Sequence, residues 1–422
     1  MPDTHANDPY HGNILTAGLG PLRSRLEVMQ QLMERPKVPK SLAGIAPHVA
    51  LHHLMSVRDF HIPSIEECRL HETIDLMMRQ NYRYLDPVSA QTWSTISGEP
   101  SRPKRRQAPG YGAAVEGISG TGKTEAIRRC LESYPYQVVH HEAFPRLQGG
   151  HRQVVWLSVE VPASGRSVDL AVALMRAWDK ATGGSRFATS IQKERRDGMK
   201  MLDEWQQVAS AHFLGILHLD EIQNFFKLAA LKKRGKRSGL GDAPELSIVE
   251  DQVLKWILTL INTWQVPLLV SGTPDGIGAL TRRLSNTERI VTSGYHPFHH
   301  FDSASDPEFR KHFLDKLGPY QYVSKKLPVT DELAVLVIEL TGGIQRLVIA
   351  LWIAAQRVAL ERNSGELRLD DFKKAAATFL APVAPAVAAF RSKDPARMSK
   401  YEDLLPRDGA FWAQFWSSVS RV

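Results

Sequence analysis

At 422 residues, and at about 150 residues per domain, the chain is too long for one small module and accommodates two or three packed units. Apolar residues make up 43% and charged residues 23%, enough to bury a sizeable core and too apolar for wholesale disorder. The formal net charge of +8 and pI near 9.4 favour a polyanionic partner such as nucleic acid or simply give solubility, between which composition does not choose, while two cysteines, Cys68 and Cys130, exclude a disulfide scaffold or a four-cysteine zinc site and fit a reducing cytoplasm.

The first fifty residues are rich in His, Pro, Gly and short polar residues and read as a mobile arm or docking segment (1–50), with one amphipathic stretch from Leu22 to Met33. They contain no basic start followed by an apolar run, and no stretch of about twenty apolar residues occurs anywhere, so the chain is expected neither to span a membrane nor to be exported. A helical extension with a basic linker follows (51–110). Its helix, predicted over Ile65–Tyr84 from the spacing of Ile65, Cys68, Ile74, Met77, Met78 and Tyr82, starts after Pro63-Ser64 and stops at Asp86-Pro87. Beyond it Pro100, Pro103 and Pro109 preclude regular structure, and Arg102, Lys104, Arg105 and Arg106 form a cationic knot.

Residues 111–304 then alternate short apolar runs with amphipathic ones, the pattern of strand, crossover helix and parallel strand. Strands are predicted at Ala113–Glu116, Val154–Val159, Leu214–Leu219, Leu268–Ser271 and Arg289–Thr292. Helices are predicted near Lys123–Leu131, Val168–Thr182, Asp203–Ala211 and Val249–Thr263. Continuous Val/Ile/Leu strands suit a parallel sheet covered on both faces. Residues 305–380 show only helical periods, at Glu308–Leu317, Thr330–Leu340, Ile344–Leu360 and Asp370–Phe379, and read as a small α-helical lid. The tail (381–422) places Phe411, Trp412, Phe415 and Trp416 in a segment expected to dock on a partner.

The sharpest chemical signal is Gly117-Ile-Ser-Gly-Thr-Gly-Lys-Thr124, which has P-loop spacing, follows a predicted strand and opens a predicted helix. Gly117, Gly120 and Gly122 let the backbone curl so that amides face phosphate oxygens at a helix N-terminus. Lys123 is then expected on the β- and γ-phosphates of ATP, and Thr124 on Mg2+. Ser119, Thr121 and Glu125 lie within or beside the motif and are counted with the nucleotide site. An acid pair ends the strand Leu214–Leu219: Asp220 is expected in the metal shell and Glu221 as general base toward water. A paired Asp-Glu argues for hydrolysis over phosphoryl transfer to a small metabolite. At the next strand end Ser271 and Thr273 are candidates to sense the γ-phosphate or hold the water, and Arg346, in Thr341-Gly-Gly-Ile-Gln-Arg346, is placed to lean over the phosphates from the lid.

In this order of motifs, residues 110–380 resemble the AAA+ ATPases, and the chain is similar, more narrowly, to transposition regulators of the TnsC and TniB type. The narrower resemblance rests on RDFHIP, VVWLSVEVPASGRSVDLAVALMRAWDKATGG, DEIQNFF, VPLLVSGTPDGIGAL and AVAAFRSKDPARMSKYEDLLP. It departs from the usual pattern at Gln223, where relatives often carry His, and in a longer basic segment after the acid strand. The resemblance implies an α/β AAA+ P-loop ATPase core followed by a helical lid, acting in the bacterial cytoplasm at the nucleoid. It implies an Mg-dependent ATPase that oligomerises on double-stranded DNA as a ring or helical filament, hexamer or heptamer per turn, and links a target selector of the TniQ/TnsD type to a transposase. Arg289, with Arg282 and Arg283 behind it, is the candidate arginine finger reaching a neighbour's nucleotide. Two cationic segments are expected to contact DNA without base readout: Arg186, Lys193, Arg195, Arg196 and Lys200 in one, and Lys227, Lys232, Lys233, Arg234, Lys236 and Arg237 in the other. The alternatives are a helicase loader or replication initiator with a similar core, and a nucleotide-switched signalling ATPase that binds no DNA. His61, Cys68 and His71 lack a second ligand cluster at zinc spacing, and His218 reads as a satisfied core residue.

Overall fold

The structure, a computed structural model, describes residues 8–38, 45–97, 109–193, 196–228, 246–249, 251–283, 288–362 and 365–392. Contacts among them divide the chain into two units. The first draws on segments 1–28, 66–116 and 124–297, the second on 29–65, 117–123 and 298–422.

The first unit is built on a five-stranded sheet. In chain order the strands are β1 (Gly112–Gly117), β2 (Val138–His141), β3 (His151–Val154), β4 (Trp156–Glu160), β5 (Ile216–Asp220), β6 (Phe226–Leu228), β7 (Leu246–Ile248), β8 (Leu268–Gly272) and β9 (Gly294–Phe298). The sheet runs β4-β5-β8-β1-β9, while β2-β3 and β6-β7 form separate antiparallel pairs. The pairings β4–β5, β5–β8 and β1–β8 are parallel. Every residue of β5 and β8 is buried, as expected of near-continuous apolar strands covered on both faces. The β5–β8 register sets Leu219 beside Val270, so the strand ends carrying Asp220 and Ser271 emerge together.

Helices Ser167–Thr182, Gly198–Ala211 and Asp251–Asn262 cover one cluster of this core, where Trp178, Trp205 and Trp256 meet edge to face. Gly183, left-handed at φ +64°, ends the first of them, and the Asp197 carboxylate caps the second by accepting from the amides of Met199 and Lys200. Helix Ile65–Tyr84 spans the predicted range and buries Cys68, Ile74, Met77, Met78 and Tyr82. Both cysteines are free and buried, and burial pushes the Cys68 thiol up to about 11.

Three local expectations are corrected. The segment predicted as a strand at 289–292 contains a short helix, Glu288–Val291, and the strand is the next segment, Gly294–Phe298. Its Pro297 fits there because β9 is an edge strand, where a missing amide hydrogen costs no ladder bond. The run 154–159 is two strands, β3 ending at Val154 and β4 starting at Trp156, because the first pairs with β2 and the second with β5. The described part of the arm is packed: Tyr10, Leu15, Leu19, Val28 and Leu32 are buried. Asn13 donates to the Tyr82 carbonyl at 2.8 Å, and Gln153 donates to the carbonyl of Leu15 at 3.0 Å.

The second unit is helical. Helices Asp331–Thr341, Gln345–Glu361, Leu369–Thr378 and Ala384–Arg391 enclose one apolar cluster, joined by Pro47–Leu54 from the N-terminal segment. Before them Glu308–Leu314 is wound as a π-helix and continues into Asp315–Leu317. Phe60 packs edge-on against Phe313 and Tyr320. No single described helix is long and apolar enough to cross a membrane. The tail aromatics Phe411, Trp412, Phe415 and Trp416 lie outside the described residues.

Candidate active site

β1 runs into the glycine loop, and the helix Lys123–Glu132 opens at its end. Gly120 and Gly122 have φ of +89° and +92°, conformations that side chains rarely adopt. A carbon added at Gly117 would lie 2.5 Å from the Phe298 carbonyl oxygen and 2.7 Å from Thr121 Oγ1. Thr121, buried, closes the loop on itself by donating to the Ile118 carbonyl at 2.9 Å. Lys123 Nζ donates to the Gly117 and Ile118 carbonyls at 2.5 and 3.1 Å, so the ammonium is drawn back onto the loop.

The Gly342-Gly343 turn delivers a second helix end to that loop. The Arg346 amide donates to the Gly120 carbonyl at 3.2 Å, and its guanidinium donates to Ser119 Oγ at 3.2 Å. Gln345 joins them, its Oε1 standing 3.0 Å from where a Cβ on Gly122 would be. The sequence reading missed Gln345; its place one residue before Arg346, after a double-glycine turn, was the available signal.

The second half of the chemistry hangs on the ends of β5 and β8. Thr124 Oγ1 donates to Asp220 Oδ2 at 2.8 Å, while Asp220 Oδ1 accepts from the Glu221 amide at 2.9 Å and from the Ser271 hydroxyl. Ser271 in turn faces His218 Nε2 at 2.7 Å, and His218 Nδ1 faces Ser158 Oγ at 2.8 Å. Burial alone would raise the Asp220 carboxyl; the adjoining His218 ring and hydrogen bonds from Ser271, Thr124 and the Glu221 amide outweigh it and hold the group below its usual value. Burial also lowers His218, against the pull of Asp220. An ionised Asp220 has no proton to give, hence Ser271 donates to it and His218 donates from Nε2 to Ser271. The expectation of a satisfied core histidine stands, and its partners make a directional chain across three strands.

Glu221 leaves the strand in the left-handed region, φ +57° and ψ +44°. Its carboxylate accepts from the Gln223 side-chain amide, and Gln223 Oε1 accepts from the Thr273 amide at 3.2 Å. Thr273 Oγ1 accepts from the Gly276 amide at 3.3 Å, starting the helix Pro274–Arg283. Glu125 is engaged along its own helix, 2.6 Å from both Arg128 and Arg129. Arg282 and Arg283 end the Pro274–Arg283 helix and Arg289 lies in Glu288–Val291.

Of the expected DNA contacts, Arg186, Lys193, Arg196 and Lys200 are exposed. The Arg186 guanidinium lies 5.8 Å from the Phe187 ring centroid, and Lys200 is 3.8 Å from Asp197. Lys227 lies in β6, opposite Ser247 of β7. Arg195, Lys232, Lys233, Arg234, Lys236 and Arg237 lie outside the described residues.

Residues 109–280 match the family model described as "AAA domain". No curated protein matches the chain. Among solved structures it is similar to the Aeropyrum pernix ORC1 protein in complex with DNA, at 15% identity and TM-score 0.40, over 80% of this chain and 76% of that one. It is similar to Drosophila ORC bound to DNA at 12% identity and TM-score 0.41, over 97% and 90%. It is also similar to the Walker-type ATPase PABY2304 of Pyrococcus abyssi at 13% identity and TM-score 0.38, over 67% and 71%. The sheet, the glycine loop and the match over residues 109–280 define the fold class: an α/β core of the AAA+ P-loop type followed by a helical C-terminal region.

Proposed function

We propose that the chain hydrolyses ATP and uses the nucleotide to assemble on double-stranded DNA in the bacterial cytoplasm, as a transposition regulator of the TnsC and TniB type. The observation that carries the nucleotide reading is the Thr124–Asp220 hydrogen bond, which ties the residue after the loop lysine to the acid ending β5. Both groups offer hard oxygen donors, and such a pair fits Mg2+ completed by water and phosphate oxygens. Mg2+, when bound, neutralises phosphate charge. Lys123 exchanges its loop carbonyls for the β- and γ-phosphates, and the Ser119–Arg346 contact supports a guanidinium beside them. Glu221 polarises the attacking water, and Thr273, whose oxygen already accepts from Gly276, has its hydroxyl proton left to donate to a γ-phosphate oxygen.

The partner assignments rest on the sequence resemblance. Each nucleotide lies between neighbouring subunits, with Arg289, or Arg282 or Arg283, supplying the trans charge; such a group is worth about 10³–10⁵ in rate. The basic segments bind duplex phosphates, and a TniQ/TnsD-type selector and a transposase dock on the oligomer.

The test is turnover and imaging with duplex DNA and a slowly hydrolysed ATP analogue. Native protein is expected to form rings or filaments only with nucleotide. Lys123→Ala is expected to lose nucleotide binding and DNA assembly together, and Glu221→Gln to bind ATP and hold persistent assemblies. A monomer under saturating ATP and DNA refutes the assembly reading, and normal turnover in either variant refutes the site. Neutralising the basic run at 232–237 is expected to flatten the salt dependence of DNA affinity by about 0.9 per lost phosphate contact. Capture of a replicative helicase or preference for one origin sequence, in place of a transposase, identifies the initiator-like alternative.

A further inference from the structure

Gln223 carries more contacts to the hydrolytic residues than its place in a short turn requires. Its side-chain amide has two ends, and both are used: the nitrogen donates to the Glu221 carboxylate and the oxygen accepts from the Thr273 amide. The residue is seated by two glycines. A carbon added at Gly272 would lie 2.7 Å from Gln223 Oε1, and one at Gly276 would lie 2.7 Å from Gln223 Cβ and 3.0 Å from its Cα. Larger residues at either position would push Gln223 out of this seat. Glu221 itself is one of four described non-glycine residues with positive φ, so its backbone is held off the strand at a local cost.

We propose that Gln223 is a positioning residue for hydrolysis, fixing the Glu221 carboxylate and referring it to the β8 turn at Thr273. A carboxylate on a flexible side chain samples several rotamers, and an amide donor anchored at its far end selects one. A shift of the Thr273 backbone as its hydroxyl engages a γ-phosphate is then passed through one rigid amide to the base. The turn that senses phosphate and the base that activates water move as a unit. This inference rests on the reading of Glu221 as general base.

The experiment compares Gln223→Met, which keeps length and loses both hydrogen bonds, with Gln223→Glu, which still accepts from the Thr273 amide and no longer donates to Glu221. Steady-state turnover and fluorescent-ATP binding are measured on the full chain with Mg2+ and duplex DNA. Losing a hydrogen bond to a charged group predicts kcat lower by about 10- to 100-fold in both variants. KM and nucleotide Kd are expected within about twofold of native, since uniform binding is untouched. In the Glu221→Gln background the same substitutions are expected to cost nothing further. Native kcat in either variant overturns the proposal, as does parallel loss of kcat and nucleotide affinity, or an added loss on top of Glu221→Gln. Native turnover in Glu221→Gln itself removes the general-base reading instead, so the two failures are told apart.

Discussion

Replacing Ser271 by Ala tests the buried chain behind the Asp220 carboxylate. Ser271 is fully buried, donates to Asp220 and accepts from His218 Nε2. Its removal takes a charge-assisted bond from Asp220 and strands the imidazole N–H where water does not reach; together these cost about 3–5 kcal/mol. For a unit of this size that lowers the melting temperature by roughly 10 °C. Urea unfolding followed by circular dichroism reads the same cost as a lower midpoint at constant slope. Adding His218→Leu removes the stranded donor, so the double variant is expected to recover at least about 1 kcal/mol relative to additivity. Ser158→Ala, at the exposed end of the chain, leaves His218 Nδ1 to water and is expected to cost under about 0.5 kcal/mol. A Ser271→Ala protein within about 0.5 kcal/mol of native, or strict additivity with His218→Leu, refutes the directional chain.

His71 is driven down from 6.5 to about 4, chiefly by burial and against the pull of Asp75. Its folded value lies below the unfolded one, so the unfolded chain binds the extra proton: stability is full above pH 6.5 and falls by about 3 kcal/mol as pH drops to 4. His71→Gln, which keeps a donor for Ser133, is expected to flatten urea midpoints across that window, with His151, less buried, leaving a smaller residue of the effect. Gly343→Ala sets a carbon 1.9 Å from the Phe301 carbonyl at φ +72°, and is expected to unfold the helical unit or lower its melting temperature by well over 10 °C. Gln356→Leu strands the Tyr322 amide, while the Tyr320 carbonyl keeps Trp352 as donor; the expected cost is therefore that of one buried group, about 1–3 kcal/mol in urea unfolding.

What was legible in the sequence was local. Gly117–Thr124 declares a phosphate loop because the residues that curl the backbone are contiguous, and β5 and β8 declare themselves as apolar runs that end in polar residues. β9 was hidden because Ile290 and Val291 look like strand residues while Tyr295, His296 and Pro297 look like a turn; yet Ile290 is buried from a helix, and Pro297 is tolerated only because the strand is an edge. The packing of the N-terminal segment was hidden too. Leu15 and Leu19 lie in a short run broken by Gly18, Gly20 and Pro21, and the groups that bind this segment, Tyr82 and Gln153, lie far along the chain. The same distance concealed the Gln223–Thr273 link and the path from Ser158 through His218 to Ser271. Spacing rules see neighbours in sequence, and these contacts are made by strand order.

One peptide bond separates two kinds of constraint. Asp220 is the last residue of a buried strand, with its carboxylate oxygens satisfied by Ser271 of β8, Thr124 of the helix after the glycine loop and the Glu221 amide just past β5. Glu221 has already left the sheet, and the Gln223 amide ties its carboxylate to the β8 turn. Metal binding must be ready before the nucleotide arrives and gains from rigidity, whereas a general base gains from engaging only when the γ-phosphate is present. On the roles proposed for Asp220 and Glu221, the left-handed turn at Glu221 is where the chain changes from one regime to the other. Substitutions on the Asp220 side are therefore expected to lower stability and Mg2+-nucleotide affinity together, and substitutions on the Glu221 side to alter turnover with binding intact. A variant at Gln223 that lost nucleotide affinity and kept its rate would place the division elsewhere.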